Sequence, residues 1–325
     1  MKIFISGATG FVGGHLAENL IKENHEIKTL VRKSSDVSFI KTLGVDITYG
    51  DITDYASVKA AMEGCELVYH AASSRFSTSI KYPVYYDVNV KGTRNVMHTA
   101  IETGVSHVVY CSTVGVYGWS CKIPVDENTP LNPNGLYSKT KLEGERLVSK
   151  YCDKYGISAV IARLTSVYGP RDFFWLKLFQ DIVKKRFIMI GSGKSHHHIT
   201  YIDDIVQGLK LCGKIQNSSA KSYIIGSKEI PTVAQIVKTI AEESGVHLQV
   251  KKIPAPPFAA AYTVFRLLTK GFSTEPLIMR KINFFIKEHM YDISKARNEL
   301  NYFPKISLRE GIKQTLCWYL EYGYL

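Results

Sequence analysis

Tyr137 and Lys141, in "YSKTK", are a pair of residue types and a spacing that can move a proton. Positions i and i+4 share one helix face, and "YSKTKLEGERLVSKYCDK" has the amphipathic pattern of a helix. An ammonium beside a phenol favours the phenolate and draws its pKa down from about 10. Such a phenol can exchange a proton with an alcohol or a carbonyl while hydride moves to or from a nicotinamide. Upstream, the strand-like run "HVVYCST" ends on two alcohols, Ser112 and Thr113, before breaking at Gly115 and Gly118. A hydroxyl on the far side of the substrate oxygen would polarise it. Thr113 is the candidate, with Ser112 as an aid. YxxxK alone is a common surface pair, so its meaning rests on its surroundings.

Those surroundings begin at the amino terminus. "ISGATGFVGGHLAENL" spaces Gly7, Gly10 and Gly13 as GxxGxxG between a strand and a helix. The first glycine permits a tight turn, the second lets backbone approach a pyrophosphate, and the third allows close helix–strand packing. Backbone amides and the positive helix end would then hold the phosphates, with Thr9, Phe11 and Val12 in the same turn. The end of the second strand reads "LVRKSSD". Arg32 and Lys33 stand where an acid would bind the ribose hydroxyls of NAD, so NADP is favoured. NAD is the alternative, because Asp36 lies near enough to be recruited. Asp51 and Ile52, after the third strand, are placed to meet an adenine.

The elements that must position these groups alternate. "KIFISG", "EIKTLVR", "ITYGD", "LVYHAA", "HVVYCST" and "SAVIARL" are short apolar, β-branched runs, with amphipathic stretches between most of them. That alternation predicts an α/β fold: a doubly wound parallel sheet covered on both faces, with ligands beyond the strands' carboxyl ends. After "SVYGP" the pattern loosens into a loop, a helix, one more strand at 222–227, a helix after Thr232, a proline-rich break and two final helices. The expected organisation is a dinucleotide-binding domain over 1–168 and a smaller, interleaved substrate domain over 169–325, with roughly 196–227 returning to the sheet.

Composition narrows the partners. Lysine and arginine number 41 against 29 acids, a net charge of +12. The cations are scattered, with no basic tract interleaved with aromatics, which argues against nucleic acid. The six cysteines form no CxxC pair and show no metal-ligand spacing. Without a targeting segment or an 18-residue apolar run, they read as reduced thiols of a cytoplasmic protein. Adjacent histidines on a strand face opposite sides, so His196–His198 do not predict a metal site.

The chain resembles an extended short-chain dehydrogenase/reductase, of the epimerase/dehydratase type with a Rossmann sheet. "SGATGFVG", "GDITD", "VYHAAS", "DVNVKGTRNV", "CSTVGVYG", "YSKTKLEGE", "ARLTSVYGP", "YIDDIVQGL" and "DISKARNELNYFP" carry the resemblance over nearly the whole length. It implies Thr113 or Ser112, Tyr137 and Lys141 as catalytic groups. It also implies Ala71 and Ala72 beside the cofactor, Asn89 near the catalytic lysine, and the stretch after Arg163 around the nicotinamide. Arg163 itself reads equally as an ion-pair partner. Dimerisation through the helices around 84–103 and 137–155 follows from the resemblance alone.

Within that group, nucleotide-sugar epimerases usually carry asparagine where this chain has Ser166, and arginine where it has His197. Dehydratases commonly carry an acidic pair where it has Val114 and Gly115. The tail and the "VYGPRD" stretch look more like hydroxysteroid dehydrogenases and dihydroflavonol reductases. The apolar run "APPFAAAYTVFRLLTKGF" could line a pocket, or touch a membrane surface through Phe258, Tyr262 and Phe265 flanked by Arg266 and Lys270. The leading expectation is an NADP-linked reductase or dehydrogenase acting on a small, apolar, non-nucleotide substrate. An epimerase retaining NAD comes second, and a silent dinucleotide-binding regulator third.

Overall fold

The computed structural model describes residues 1–74, 82–119, 123–258, 260, 263, 264 and 277–325, with side chains from 282 in the last stretch. Tyr262, Phe265, Arg266 and Lys270 lie outside the described residues.

Six of the seven central strands are the predicted apolar runs: β1 (Lys2–Ser6), β2 (Glu26–Val31), β3 (Asp46–Tyr49), β4 (Leu67–His70), β5 (His107–Thr113) and β6 (Ser158–Leu164). Two short strands follow, β7 (Ser166–Tyr168) and β8 (Ile188–Ile190), then β9 (Ile199–Tyr201), β10 (Ser219–Ile225) and β11 (Lys251–Ile253). The sheet runs β10-β6-β5-β4-β1-β2-β3, and every pairing in it is parallel. β7 pairs with β9 and β8 with β11 outside it, two ribbons that three-residue strands gave no pattern to predict.

The helices are α1 (Phe11–Lys22), α2 (Ser38–Thr42), α3 (Tyr55–Met62), α4 (Tyr82–Tyr86), α5 (Gly92–Glu102), α6 (Leu136–Tyr155), α7 (Leu176–Val183), α8 (Ile202–Gly213), α9 (Val233–Glu243), α10 (Leu277–Ile286), α11 (Ser294–Leu300) and α12 (Leu308–Glu321). A π-helical turn, Asp87–Lys91, joins α4 to α5 where the sequence suggested one continuous helix. None of the helices among the described residues is long and apolar enough to cross a membrane.

Strand alternation divides the interior in two. Ile3 and Ile5 face one side with Leu16, Ala17 and Leu20 of α1 and Ile205 and Leu209 of α8. Phe4 faces the other, with Val58 of α3, Met97 of α5 and Val148 of α6. A sheet buried on both faces needs apolar residues at successive positions, which is why these strands read as continuous runs. Strand order reverses between β1 and β4, and the crevice beyond their carboxyl ends is where such sheets take ligands.

Candidate active site

Gly7, at φ 81°, follows β1. A side chain there would lie 2.7 Å from the Ala72 nitrogen, and one at Gly13 would lie 2.3 Å from the Gly7 carbonyl oxygen. Only glycine lets the exits of β1 and β4 and the start of α1 come this close. Ala71 and Ala72 are tied to Ser6, through its carbonyl at 3.1 Å and its hydroxyl at 3.2 Å. Gly10 starts α1 with no side-chain cap and no acid in the first turn. The first-turn amides around Thr9, Phe11 and Val12 therefore point to an anion-accepting end. The cradle fits a dinucleotide pyrophosphate.

Arg32 and Lys33 are exposed just past β2. The Asp36 carboxylate accepts from the Ser38 amide at 2.9 Å, so it caps its own turn. Asp51 likewise accepts from the Thr53 amide at 2.9 Å and hydroxyl at 2.7 Å. Ile52 packs on Gly92, where an added side chain would lie 3.0 Å from it, and its carbonyl accepts from Asn95 at 2.9 Å. The loop after β3 is thereby fixed as a wall of the crevice.

Thr113 ends β5, half-buried. A side chain at Gly115 would lie 2.6 Å from the Ser138 hydroxyl and 3.4 Å from that of Thr113. The strand end and the first turn of α6 thus meet across Gly115, bringing Thr113 beside the Tyr137–Ser138 step. Tyr137 is half-buried, its ring 6.4 Å from that of Tyr85. One turn on, Lys141 is 1% exposed, its Nζ 4.0 Å from the centre of the Tyr110 ring. Burial pulls its pKa down to about 8, so the ammonium keeps its charge at neutral pH. Asn89, in the π-helical turn, accepts from the Ser74 amide at 2.8 Å and donates to Thr140 at 2.9 Å. It fixes the residue before Lys141 to the loop leaving β4.

Ser112 turns to the other face of the strand. Its hydroxyl donates to Glu145 at 2.5 Å, pointing away from Thr113, as strand alternation requires. Glu145 receives Arg163 through two nitrogens, at 3.1 and 2.8 Å, and Arg163 donates to the Tyr117 hydroxyl at 2.7 Å. Arg163 is therefore an ion-pair partner. Removing one member of such a buried pair strands a charge. Glu145→Ala should cost about 3–5 kcal/mol of stability, measured by urea denaturation, and Glu145→Gln should cost less.

A cavity of about 890 Å³ opens at Trp119 and Ser166, both just past these strand ends. Its walls include Phe173, Trp175, Phe187 and Phe284. The Asn134 amide, turned with its oxygen to the indole, accepts from both Trp119 nitrogens at 2.9 Å, joining this wall to the loop that enters α6. The three histidines diverge. His196 bonds Glu288 at 3.0 Å, and His198 donates to the Ser227 carbonyl at 2.9 Å. His197 lines the cavity against Phe284 and His289, with ring centres 4.4 and 4.6 Å away. Burial pushes its pKa well down, so it is neutral. No cluster of three potential metal ligands occurs among the described residues.

Two residues shape the site without a chemical signature of their own. Tyr110 lies under Lys141, and α6 can approach it because Gly144 has no side chain: one there would lie 2.1 Å from the Tyr110 hydroxyl. His70 bonds Ser6 at 2.7 Å and Thr93 at 2.9 Å, locking β1's exit to α5. Its burial holds the pKa near 3, so it stays neutral. The "VYHAAS" stretch was the available signal for His70; Tyr110 read as an ordinary strand aromatic.

The chain belongs to the NAD dependent epimerase/dehydratase family, whose profile matches residues 3–226. It is an enzyme of the extended short-chain dehydrogenase/reductase type. It is similar to a 3beta-hydroxysteroid-dehydrogenase/decarboxylase (isoform 1) of Arabidopsis thaliana, 27% identical over 96% of this chain and 78% of that one. It is also similar to an uncharacterized UDP-glucose epimerase, YtcB, of Bacillus subtilis (strain 168), 28% identical over 98% of each chain. Among solved structures, gox2253 covers 99% of each chain at a TM-score of 0.86 and 26% identity.

Proposed function

We propose that this enzyme interconverts a secondary alcohol and a ketone on an apolar, non-nucleotide substrate, with NADP as its cofactor. The observation that carries this reading is the cavity. Ser166 and His197, the positions where nucleotide-sugar epimerases usually place asparagine and arginine, both line it. One is small and the other is a neutral imidazole held among aromatic rings. A sugar diphosphate would find no cation at either of these two positions, the cavity's cations being Lys177, paired with Asp181, and Arg186, whereas a greasy ring system would find aromatic walls.

A bound nicotinamide nucleotide supplies the hydride for reduction, or takes it up in the reverse direction. The remaining work falls to this chain. The turn from Gly7 to Gly13 holds the pyrophosphate, and Arg32 and Lys33 accommodate the 2′-phosphate. Thr113 polarises the carbonyl oxygen, and Ser112, engaged with Glu145, supports the strand. Tyr137 delivers the proton to that oxygen as the carbonyl carbon is reduced. Lys141 keeps the phenol acidic and meets the nicotinamide ribose. Residues 1–168 form the nucleotide half and 169–325 mainly the substrate half, and two copies pair through α5 and α6.

The similarity to YtcB supports a second reading, an epimerase that retains NAD. Denaturing the purified enzyme and analysing the released nucleotide separates them. Exchangeable NADP supports the reductase, and stoichiometric, non-exchanging NAD supports the epimerase. Arg32→Asp should shift the ratio of NADP to NAD affinity toward NAD by about tenfold or more, the loss of one charge-assisted phosphate contact. Unchanged discrimination in a fluorescence titration would remove Arg32 from the site.

A further inference from the structure

The β8–β11 ribbon lies at the cavity's edge, with Ile188, Ile190 and Ile253 among its lining residues. Its parallel register sets Lys251 beside Ile188 and Ile253 beside Ile190. Ile188 is 46% exposed and Ile253 38%, and across the same cavity rim Phe173 and Phe174 are 50% and 61% exposed. Exposed isoleucines on a short ribbon and phenylalanines at a cavity mouth are a liability unless something covers them. Lys184, Lys185 and Arg186 lead into β8 and Lys251 and Lys252 open β11, all exposed, with Arg186 lining the cavity. Among the described residues, none of these five cations takes part in an ion pair, while Lys177, which lines the same cavity, is paired with Asp181.

The geometry points to an anionic lipid surface as the partner of this face: the isoleucines and phenylalanines enter the headgroup–acyl boundary and the five cations meet the lipid phosphates. Unpaired cations flanking exposed apolar side chains are the arrangement that binds such a surface. The docked face would also turn the cavity mouth toward the bilayer, so that an apolar substrate reaches it without crossing water. No spanning helix is needed for this attachment.

The test is co-sedimentation of the full chain with phosphatidylcholine vesicles, with and without phosphatidylglycerol, in the absence of substrate. It therefore reads the surface independently of the proposed reaction. The wild type should pellet with the anionic vesicles only. Reversal of Lys184, Lys185, Lys251 and Lys252 to glutamate should lower the partition coefficient by about 100-fold or more. The same reversal at Lys22, Lys150, Lys238 and Lys313 changes net charge equally and should leave most of the binding in place. Circular dichroism and nucleotide affinity would show that both variants fold. Wild type failing to pellet, equal loss in the two variants, or displacement from vesicles by duplex DNA at equal charge would overturn the proposal.

Discussion

Phenylalanine at Tyr137 is expected to lower turnover by about 10²–10⁴-fold, the contribution of one positioned proton donor, while nucleotide affinity stays within about threefold. The ring is half-buried and packs against Tyr85, and phenylalanine keeps that packing. The variant loses only the hydroxyl. The nucleotide cradle, from Gly7 to Gly13 and across to Ala72, is built without it. A loss confined to turnover therefore separates a proton donor from a structural tyrosine, which would lower the melting temperature and weaken nucleotide binding together. Steady-state turnover, a fluorescence titration with nucleotide and a thermal melt make the comparison. Wild-type turnover in this variant would end the assignment, and with it the reading of Thr113 as the opposing hydroxyl.

Much of this arrangement could be read from the chain because its signals are local. The glycine spacing acts within a single turn, Tyr137 and Lys141 lie within one turn of α6, and buried parallel strands write themselves as continuous apolar runs. Ser112 and Thr113 show the limit. Alternation along a strand says that the two hydroxyls face opposite ways, yet only the packing of α6 on β5 shows that Ser112 meets Glu145. The aromatic cavity has the same character. Its walls come from Trp119, Ser166–Phe187, His197, Ile253 and Phe284, stretches joined by no period. The two ribbons that hold those walls are made of three-residue strands, too short for alternation to register. Lys141 was legible as a residue, but its burial was not, since a helix-face lysine ordinarily reaches solvent.

That burial leads to a second large effect, opposite in sign to what loss of a functional residue usually brings. Lys141 is 1% exposed, and its pKa falls from the usual 10.5 to about 8 because burial disfavours the charged form. Between those values the unfolded chain holds a proton that the native protein has released, so this group makes stability rise with pH from about 8 to 10.5. Below pH 8 both states are protonated, and the native state carries the whole penalty of about 3 kcal/mol, at 1.36 kcal/mol per pKa unit. Lys141→Met keeps the length of the side chain and removes the charge. At pH 7 it should stabilise the nucleotide-free enzyme by about that amount; the gain should shrink through the window and vanish above pH 10.5. Turnover should fall with it if, as proposed, the Lys141 ammonium is what makes the Tyr137 phenol acidic. Paired urea denaturation curves at pH 7 and 10, taken as a difference between variant and wild type, cancel the other groups that titrate there. A variant less stable at pH 7, or a gain that does not depend on pH, would show that Lys141 is held by partners that repay its burial. A gain accompanied by lost turnover would mean that the fold tolerates a strained cation at this position because the proton transfer requires one.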